Sequence, residues 1–461
     1  MRKYTLSIAT AVLLASASTA ALAQDSGPVT LQEAVSVAMK SNPEIIQAQM
    51  NTEAIQAERK QAQGLYAPRV DLEASAGVRR LENTTRRNLG IADQELYPLE
   101  VGGVLDWTLI DFGRRRGELL RQAARVDGAS LRVVERSEFI ALQIARQYFD
   151  VLLQQRVAAA STDNVTFHQM LVGDLGKGVE QGSISIADRQ QAEERLQSAL
   201  VRQTEAQQDL QDARIELQRL TGLDISQVVL PPNLAPALPS SLDEAVGLAR
   251  TKHPKVREAM ADVDASTAMV KAAEGDLYPT VGVELRGRYG DDIDGFRGET
   301  NDLQARAVMR WNIFDGGINR AKVQEMVRRA SQSRYRLHEL QREAEADVRT
   351  AWTTMNSQAD IVGKVERQSQ VSDDLLLSYR SQFNVGRRSL LDAQNTRYNT
   401  QVRLETSRFS QLFAQYQTLA ATNNLLDALS IAPGAGAGME ERTRFDFGPP
   451  APAELQRRVY P

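Results

Sequence analysis

Hydrophobic and polar positions along this chain switch between two periods. The apolar residues Val70, Leu72, Ala74, Ala76 and Val78 alternate with Asp71, Glu73 and Ser75, and a period of two marks a strand with two unlike faces. The alternation returns at Leu99, Val101, Leu105, Trp107 and Leu109 against Glu100, Asp106 and Thr108. It returns again at Val281, Val283, Leu285 and Tyr289 against Glu284, Arg286 and Arg288. The fourth run sets Leu303, Ala305, Ala307, Met309, Trp311 and Ile313 against Gln304, Arg306, Arg310 and Asn312. Elsewhere the pattern is helical. Gly113 to about Gly176 and Gly317 to about Tyr379 contain no interior proline, and at ~1.5 Å per residue each would reach on the order of 90 Å. Ile140, Ile144, Tyr148 and Leu152, with Phe409, Leu412, Phe413, Tyr416 and Leu419, form stripes narrow enough for lateral helix packing.

These elements occur twice. Leu31-Gln32-Glu33-Ala34-Val35 recurs 211 positions on as Leu242-Asp243-Glu244-Ala245-Val246, and Tyr66-Ala67-Pro68 as Leu277-Tyr278-Pro279. Beyond the strands the offset drops to 204: Trp107 to Phe112-Gly113 matches Trp311 to Gly316-Gly317, and Gly182 with Asp188 matches Gly386 with Asp392. A loop between the strands absorbs the difference, since loops tolerate length changes that packed elements do not. Thr30 with Glu33, and Ser241 with Glu244, read as capping boxes at the two helix starts. The sequence thus predicts a first repeat over 24–230, with a helix from about Leu31 to Leu65, strands at about 69–80 and 98–110, a long helix 113–176 and a helix 186–221. A second repeat over 231–430 has a helix, strands at about 280–290 and 302–314, a long helix 317–380 and a helix 389–427. A flexible Pro/Gly-rich tail fills 431–461.

The N-terminus turns the strands into a membrane question. Arg2 and Lys3 precede an apolar run from Leu6 to Ala21 that ends in Ala21-Leu22-Ala23, the form of a secretory signal peptide over 1–23, cut before Gln24. No later apolar stretch reaches the eighteen or so residues of a membrane helix, so a spanning structure would have to be a barrel. The strands are about the ten residues that a tilted strand needs to cross a bilayer. A half-buried soluble sheet gives the same alternation; the signal peptide, the repeat and Trp107 and Trp311 near strand ends favour lipid, with each indole N–H in headgroup water. Four strands cannot close, because single-chain outer-membrane barrels need about eight and an open edge in hydrocarbon costs several kcal/mol per unpaired group. Three copies would supply about twelve. The fold class is therefore mainly α with transmembrane β, a long coiled-coil helical barrel joined to a shared barrel of a homotrimer.

Composition narrows the chemistry. There is no cysteine and the net charge is −4, which excludes thiol catalysis, cysteine-ligated metals and an electrostatic nucleic-acid binder. His168, His253 and His338 lack metal-ligand or triad spacing, and no phosphate loop or nucleophile–base set is present. Asp291, Asp292 and Asp294 lack the full spacing of a calcium site and read as a solvated loop. No enzyme activity, metal or cofactor is expected.

Taken in order, the duplicated helix starts, the Tyr-x-Pro and Tyr-Pro strand approaches, the Trp-x-Leu-Ile-Asp-Phe-Gly and Trp-Asn-Ile-Phe-Asp-Gly-Gly strand exits and the paired Gly-x(5)-Asp turns resemble the TolC-type outer-membrane efflux or secretion proteins. The resemblance covers about Val29 to Leu426. It implies a homotrimer in the outer membrane of a Gram-negative bacterium, whose helices project into the periplasm toward an adaptor (membrane fusion) protein and an inner-membrane transporter. It also implies a gate at the helix turns, with Asp188 in the closing network, Arg388 as its ionic partner and Asp392 as a cation-attracting constriction. Phe383 stands where such proteins can carry a tyrosine, and Asn395 stands where they can carry a second carboxylate. On residue grounds alone Gly182 and Gly386 are equally helix C-caps, and Asp188 and Asp392 charges at helix N-termini. A rival reading is a periplasmic coiled-coil adaptor or scaffold, which would share the helices but carry lipoyl-like or soluble barrel domains.

Overall fold

The computed structural model describes residues 27–381 and 387–438, the side chains of 381 and 387–389 excepted. The signal peptide expected over 1–23 therefore lies outside the described residues. Along the chain run α1 (Leu31–Ser41), α2 (Pro43–Gly64), β1 (Arg69–Ala76), β2 (Arg79–Arg80), α3 (Thr84–Asn88), β3 (Glu95–Leu96), β4 (Leu99–Ile110), α4 (Arg114–Glu180) and α5 (Ile186–Thr221). There follow α6 (Leu242–Lys252), α7 (Pro254–Gly275), β5 (Thr280–Asp291), β6 (Glu299–Arg310), α8 (Ile318–Ser381), α9 (Arg387–Ala421) and α10 (Leu425–Ala428).

Local chemistry explains where these elements start and where they depart from the sequence reading. Thr30 caps α1 by accepting from Glu33 N–H at 3.2 Å, as the capping box requires. The helix expected to run from Leu31 to Leu65 is two helices, broken at Asn42, because Pro43 lacks the N–H that would continue α1. Asn42 is extended and its Oδ1 accepts from Glu44 N–H at 3.0 Å, restarting the chain as α2. The second repeat breaks at His253 before Pro254 in the same way. The helix expected over 389–427 likewise ends at Ala421, and α10 follows after a left-handed Asn423.

The four long strands form one antiparallel sheet in the order β1-β4-β5-β6. Its register sets Val70, Leu105, Leu285 and Ala305 on one rung and Arg69, Asp106, Glu284 and Arg306 on the next, so one face is apolar and the other charged across all four strands. Three details differ from the pattern. β1 ends at Ala76, leaving Val78 off the sheet while β2 pairs with β3 as a separate ladder. β6 covers 299–310 rather than 302–314. A register shift after Thr108 sets Ile110 opposite Val281 and takes Leu109 off the Trp107 face.

The helices are two antiparallel hairpins, α4 with α5 and α8 with α9. Along α5 the residues Ala192, Ala199, Ala206 and Ala213 are buried at every seventh position, a heptad seam small enough for close approach. The wall core holds Ile140, Ile144, Tyr148 and Leu152 with Phe409, Tyr416 and Leu419, as the stripes indicated, and it takes in α1 and α10. Tyr148 is buried there because its hydroxyl is satisfied: it donates to Val29 O at 2.8 Å and accepts from Val229 N–H at 3.1 Å. The expected flexible tail begins as a docked segment, since Gly434 is buried and its N–H donates to Ser137 Oγ at 3.0 Å. Residues 439–461 lie outside the described residues. Among the described residues no helix is long and apolar enough to cross a membrane.

Candidate functional site

A sheet in a soluble domain hides its apolar face. Here the apolar face is bare: Leu72 is 80% exposed and Leu303 83%, with Val70, Leu99, Met309 and Tyr289 also uncovered. The opposite face carries its own ion pairs. Glu284 receives Arg306 at 2.6 Å and also Arg310, and Arg288 bridges Asp294 at 2.9 Å and Asp302 at 3.2 Å. Bare hydrocarbon outside and paired charge inside is the pattern of a membrane barrel wall, and β1 and β6 are left as unpaired edges.

At the helix end of the sheet lies a belt of exposed aromatic rings, Tyr66, Trp107, Phe112, Tyr278, Trp311 and Phe314. Trp107 lies near the end of β4 and Trp311 just past the end of β6 rather than inside it, and their N–H groups are not left to headgroup water. Trp107 Nε1 donates to Tyr66 O at 3.0 Å and Trp311 Nε1 to Leu277 O at 3.2 Å, tying each strand end to the segment that precedes its partner strand. Phe112, stacked on Tyr278 at 5.3 Å, was visible only as part of the strand-exit motif. The exits themselves turn on left-handed backbone at Phe112 and Gly113 and at Gly316 and Gly317, conformations that favour glycine. Asp111 and Asp315 hold the turns by accepting from Arg115 and Asn319 N–H, each at 2.9 Å.

At the far end of the sheet two loops are clasped together. Arg86, 1% exposed, donates to Ile91 O at 2.7 Å, to Gln94 O at 2.8 Å and to Gly295 O. Asp292 returns the contact by accepting from Tyr97 N–H at 3.1 Å and from Gly298 N–H at 3.1 Å. With Asp294 on Arg288, Asp292 and Asp294 both serve protein donors, and no metal-ligand cluster occurs among the described residues.

At the helix tips, Gly182 is left-handed and ends α4 as a cap. Ser185 Oγ accepts from Asp188 N–H at 3.1 Å and donates to Asp188 Oδ2 at 2.8 Å, so Asp188 sits in the first turn of α5 within a reciprocal cap. Phe383 and Gly386 lie outside the described residues, and Arg388 lies in α9 with its side chain outside them. Asp392 is exposed near the start of α9, while Asn395 accepts from Arg202 Nη1 at 3.0 Å. Arg202 also reaches Ser198 and lies over the Tyr398 ring, and Gln394 Nε2 donates to Asn164 Oδ1 at 2.9 Å. Sequence reasoning missed Arg202, Asn164 and Gln394, whose partners are far apart along the chain. His168, buried edge-on against Phe167, is held below the usual imidazole pKa by burial and by the Arg202 and Arg195 charges.

A family model described as outer membrane efflux protein matches residues 34–223 and 245–430. Among curated proteins, Protein CyaE of Bordetella pertussis is 25% identical over 64% of this chain and 62% of its own length. Outer membrane efflux protein BepC of Brucella suis is 24% identical over 61% of this chain and 63% of its own. The chain thus spans under two thirds of the length of both relatives. Among solved structures, the Campylobacter jejuni CmeC outer membrane channel superposes with a TM-score of 0.76 at 13% identity, covering 86% of each chain. The outer-membrane channel OprN superposes at 0.74 and 18% identity, covering 86% of this chain and 90% of its own. The lipoyl-like or soluble barrel domains of an adaptor do not occur among the described residues. The family match places the protein in the outer membrane. Its two repeats, its bare four-stranded sheet and the span of the family match make the chain a member of the outer membrane efflux protein family.

Proposed function

We propose that the protein is the passive, gated outer-membrane conduit of a tripartite efflux or type I secretion system. The observation that carries this reading is the open sheet: its apolar face is uncovered, which water disfavours, and its two edges are unpaired within one chain, which hydrocarbon does not permit. Three copies would close about twelve strands around the charged faces. The hairpins would then line a tunnel on the order of 100 Å long, as α4 has 67 residues at ~1.5 Å each. Its partners would be a periplasmic adaptor and an inner-membrane transporter that supplies the driving force, so the conduit itself performs no catalysis. Asp188 with Arg388 would close the periplasmic end until the helices there untwist, and Asp392 would attract cations to it.

Purified protein in planar bilayers should conduct in discrete steps. Asp188→Ala or Arg388→Ala should raise the conductance, and unchanged conductance would remove those residues from the gate. Material that stays monomeric in water without detergent would overturn the conduit itself.

A further inference from the structure

Where the charged face of the sheet meets the helices, the ends of β4, β5 and β6 enclose with α4, α7 and α8 a cavity of about 850 Å³. Its charges do not balance. Arg115 is spent on Asp111 and on the carbonyls of Thr108 and Leu109, and Arg121 is paired with Glu118. Asp276, by contrast, serves both Arg114, at 3.8 Å, and Lys322, at 2.8 Å. Arg310 leans on Glu284, which already holds Arg306. The lining thus has five cations against three carboxylates, an excess of two positive charges per chain.

The carboxylates also lie beneath their partners. The Glu284 side chain is 12% exposed and that of Arg310 70%, and Asp276 is 19% exposed where Arg114 is 62%. A solute entering the cavity therefore meets guanidinium and ammonium groups first. α4 begins at Arg114 and α8 one turn before Lys322, and each helix start adds the positive end of its dipole. The floor is fixed and partly apolar. A Cβ at Gly117 would lie 2.6 Å from Ala272 N and one at Gly275 2.8 Å from Arg114 N, so α4 and α7 meet backbone to backbone and hold Arg114 beside Asp276. Met269 and Met326 supply apolar surface. Convergent charge above an apolar floor, in a cavity of this size, is the form of a small-molecule site.

We infer that this cavity binds an amphiphilic organic anion, its acidic group held by Arg310, Lys322 and Arg114 and its apolar body lying over Met269 and Met326. The site rests on the conduit reading in one respect: three copies would set it around the lumen where barrel joins tunnel, opposite in sign to Asp392 at the helix tips.

The test uses naphthalene-2-sulfonate and its neutral counterpart, naphthalene-2-sulfonamide, which has the same rings. Added to the full-length protein in planar bilayers, the sulfonate should block the current at concentrations where the sulfonamide does not. Arg310→Gln with Lys322→Gln should raise the blocking concentration roughly tenfold, about what two part-exposed ion pairs contribute. Arg288→Gln, at the far end of the sheet between Asp294 and Asp302, should leave it unaltered. Equal block by the two compounds, or block that the double variant does not weaken, would overturn the inference. The comparison of the two compounds on wild type keeps the test decisive if the double variant fails to assemble. Equilibrium dialysis against detergent-solubilised protein reads the same site without a pore. Sulfonate retained there, by a wild type that never conducts, would uphold the site and overturn the conduit reading; no retention beyond that of the sulfonamide would overturn the site.

Discussion

Leu72 on β1 is 80% exposed, whereas Ile144 on α4 is fully enclosed by other helices of the same chain. The helical wall buries its seam within one protomer, through the alanine heptads of α5 and the aromatic packing around Phe149. The sheet buries almost nothing. The wall can draw its stability from its own sequence, whereas on the conduit reading the sheet would depend on lipid and on further copies of the chain.

That contrast predicts unequal responses to the same kind of substitution. Ile144→Ala should lower the stability of the wall by ~2–5 kcal/mol, the usual cost of a cavity at an enclosed aliphatic site. Leu303→Ala should leave it nearly unchanged; helical circular dichroism during urea unfolding reads both. Leu72→Arg reverses the pattern. It should cost the membrane form ~2–4 kcal/mol if the residue lies at mid-bilayer, lowering the oligomer fraction in detergent while the helical signal stays intact.

A third difference is one of pH. Burial raises the carboxyl of Glu138, which accepts from Leu426 N–H, from 4.5 to about 8. The folded wall keeps a proton there that the unfolded chain has released, so this group makes stability fall as pH rises from about 4.5 to about 8. Burial lowers His253 from 6.5 to about 4. The unfolded chain takes up that proton first, so this group makes stability fall as pH drops from 6.5 toward 4. The two oppose each other below pH 6.5, leaving 6.5 to 8 as the window for Glu138. Glu138→Gln should flatten the decline there in urea titrations, and an unaltered slope would exclude Glu138 as its source. The smallest effect is at the border of the two regions. Trp107→Phe keeps the ring and loses the bond to Tyr66 O, and should cost about 0.5–1.5 kcal/mol in thermal dissociation of the oligomer. No change would return that N–H to headgroup water.

What the sequence revealed follows the same division. Period-two alternation located all four strands, and the duplicated landmarks located both hairpins, because each is a local or repeating signal. The break at Asn42 was also local, in Pro43, but periodicity continued through it and hid it. Arg86 and Arg202 were not legible at all. Their partners Gly295 and Asn395 lie 209 and 193 residues away, and only the fold brings them together. The docking of Gly434 was hidden because its Pro/Gly-rich surroundings have the composition of a free tail, while Ser137 supplies its partner from the middle of α4.

The dependence of the sheet on other copies is tested most directly by counting subunits. Native mass spectrometry of the detergent-extracted protein should find three copies held together. A single copy, stable after the detergent is removed, would contradict the account, because such a molecule would have to tolerate two unpaired sheet edges and a bare apolar face in water.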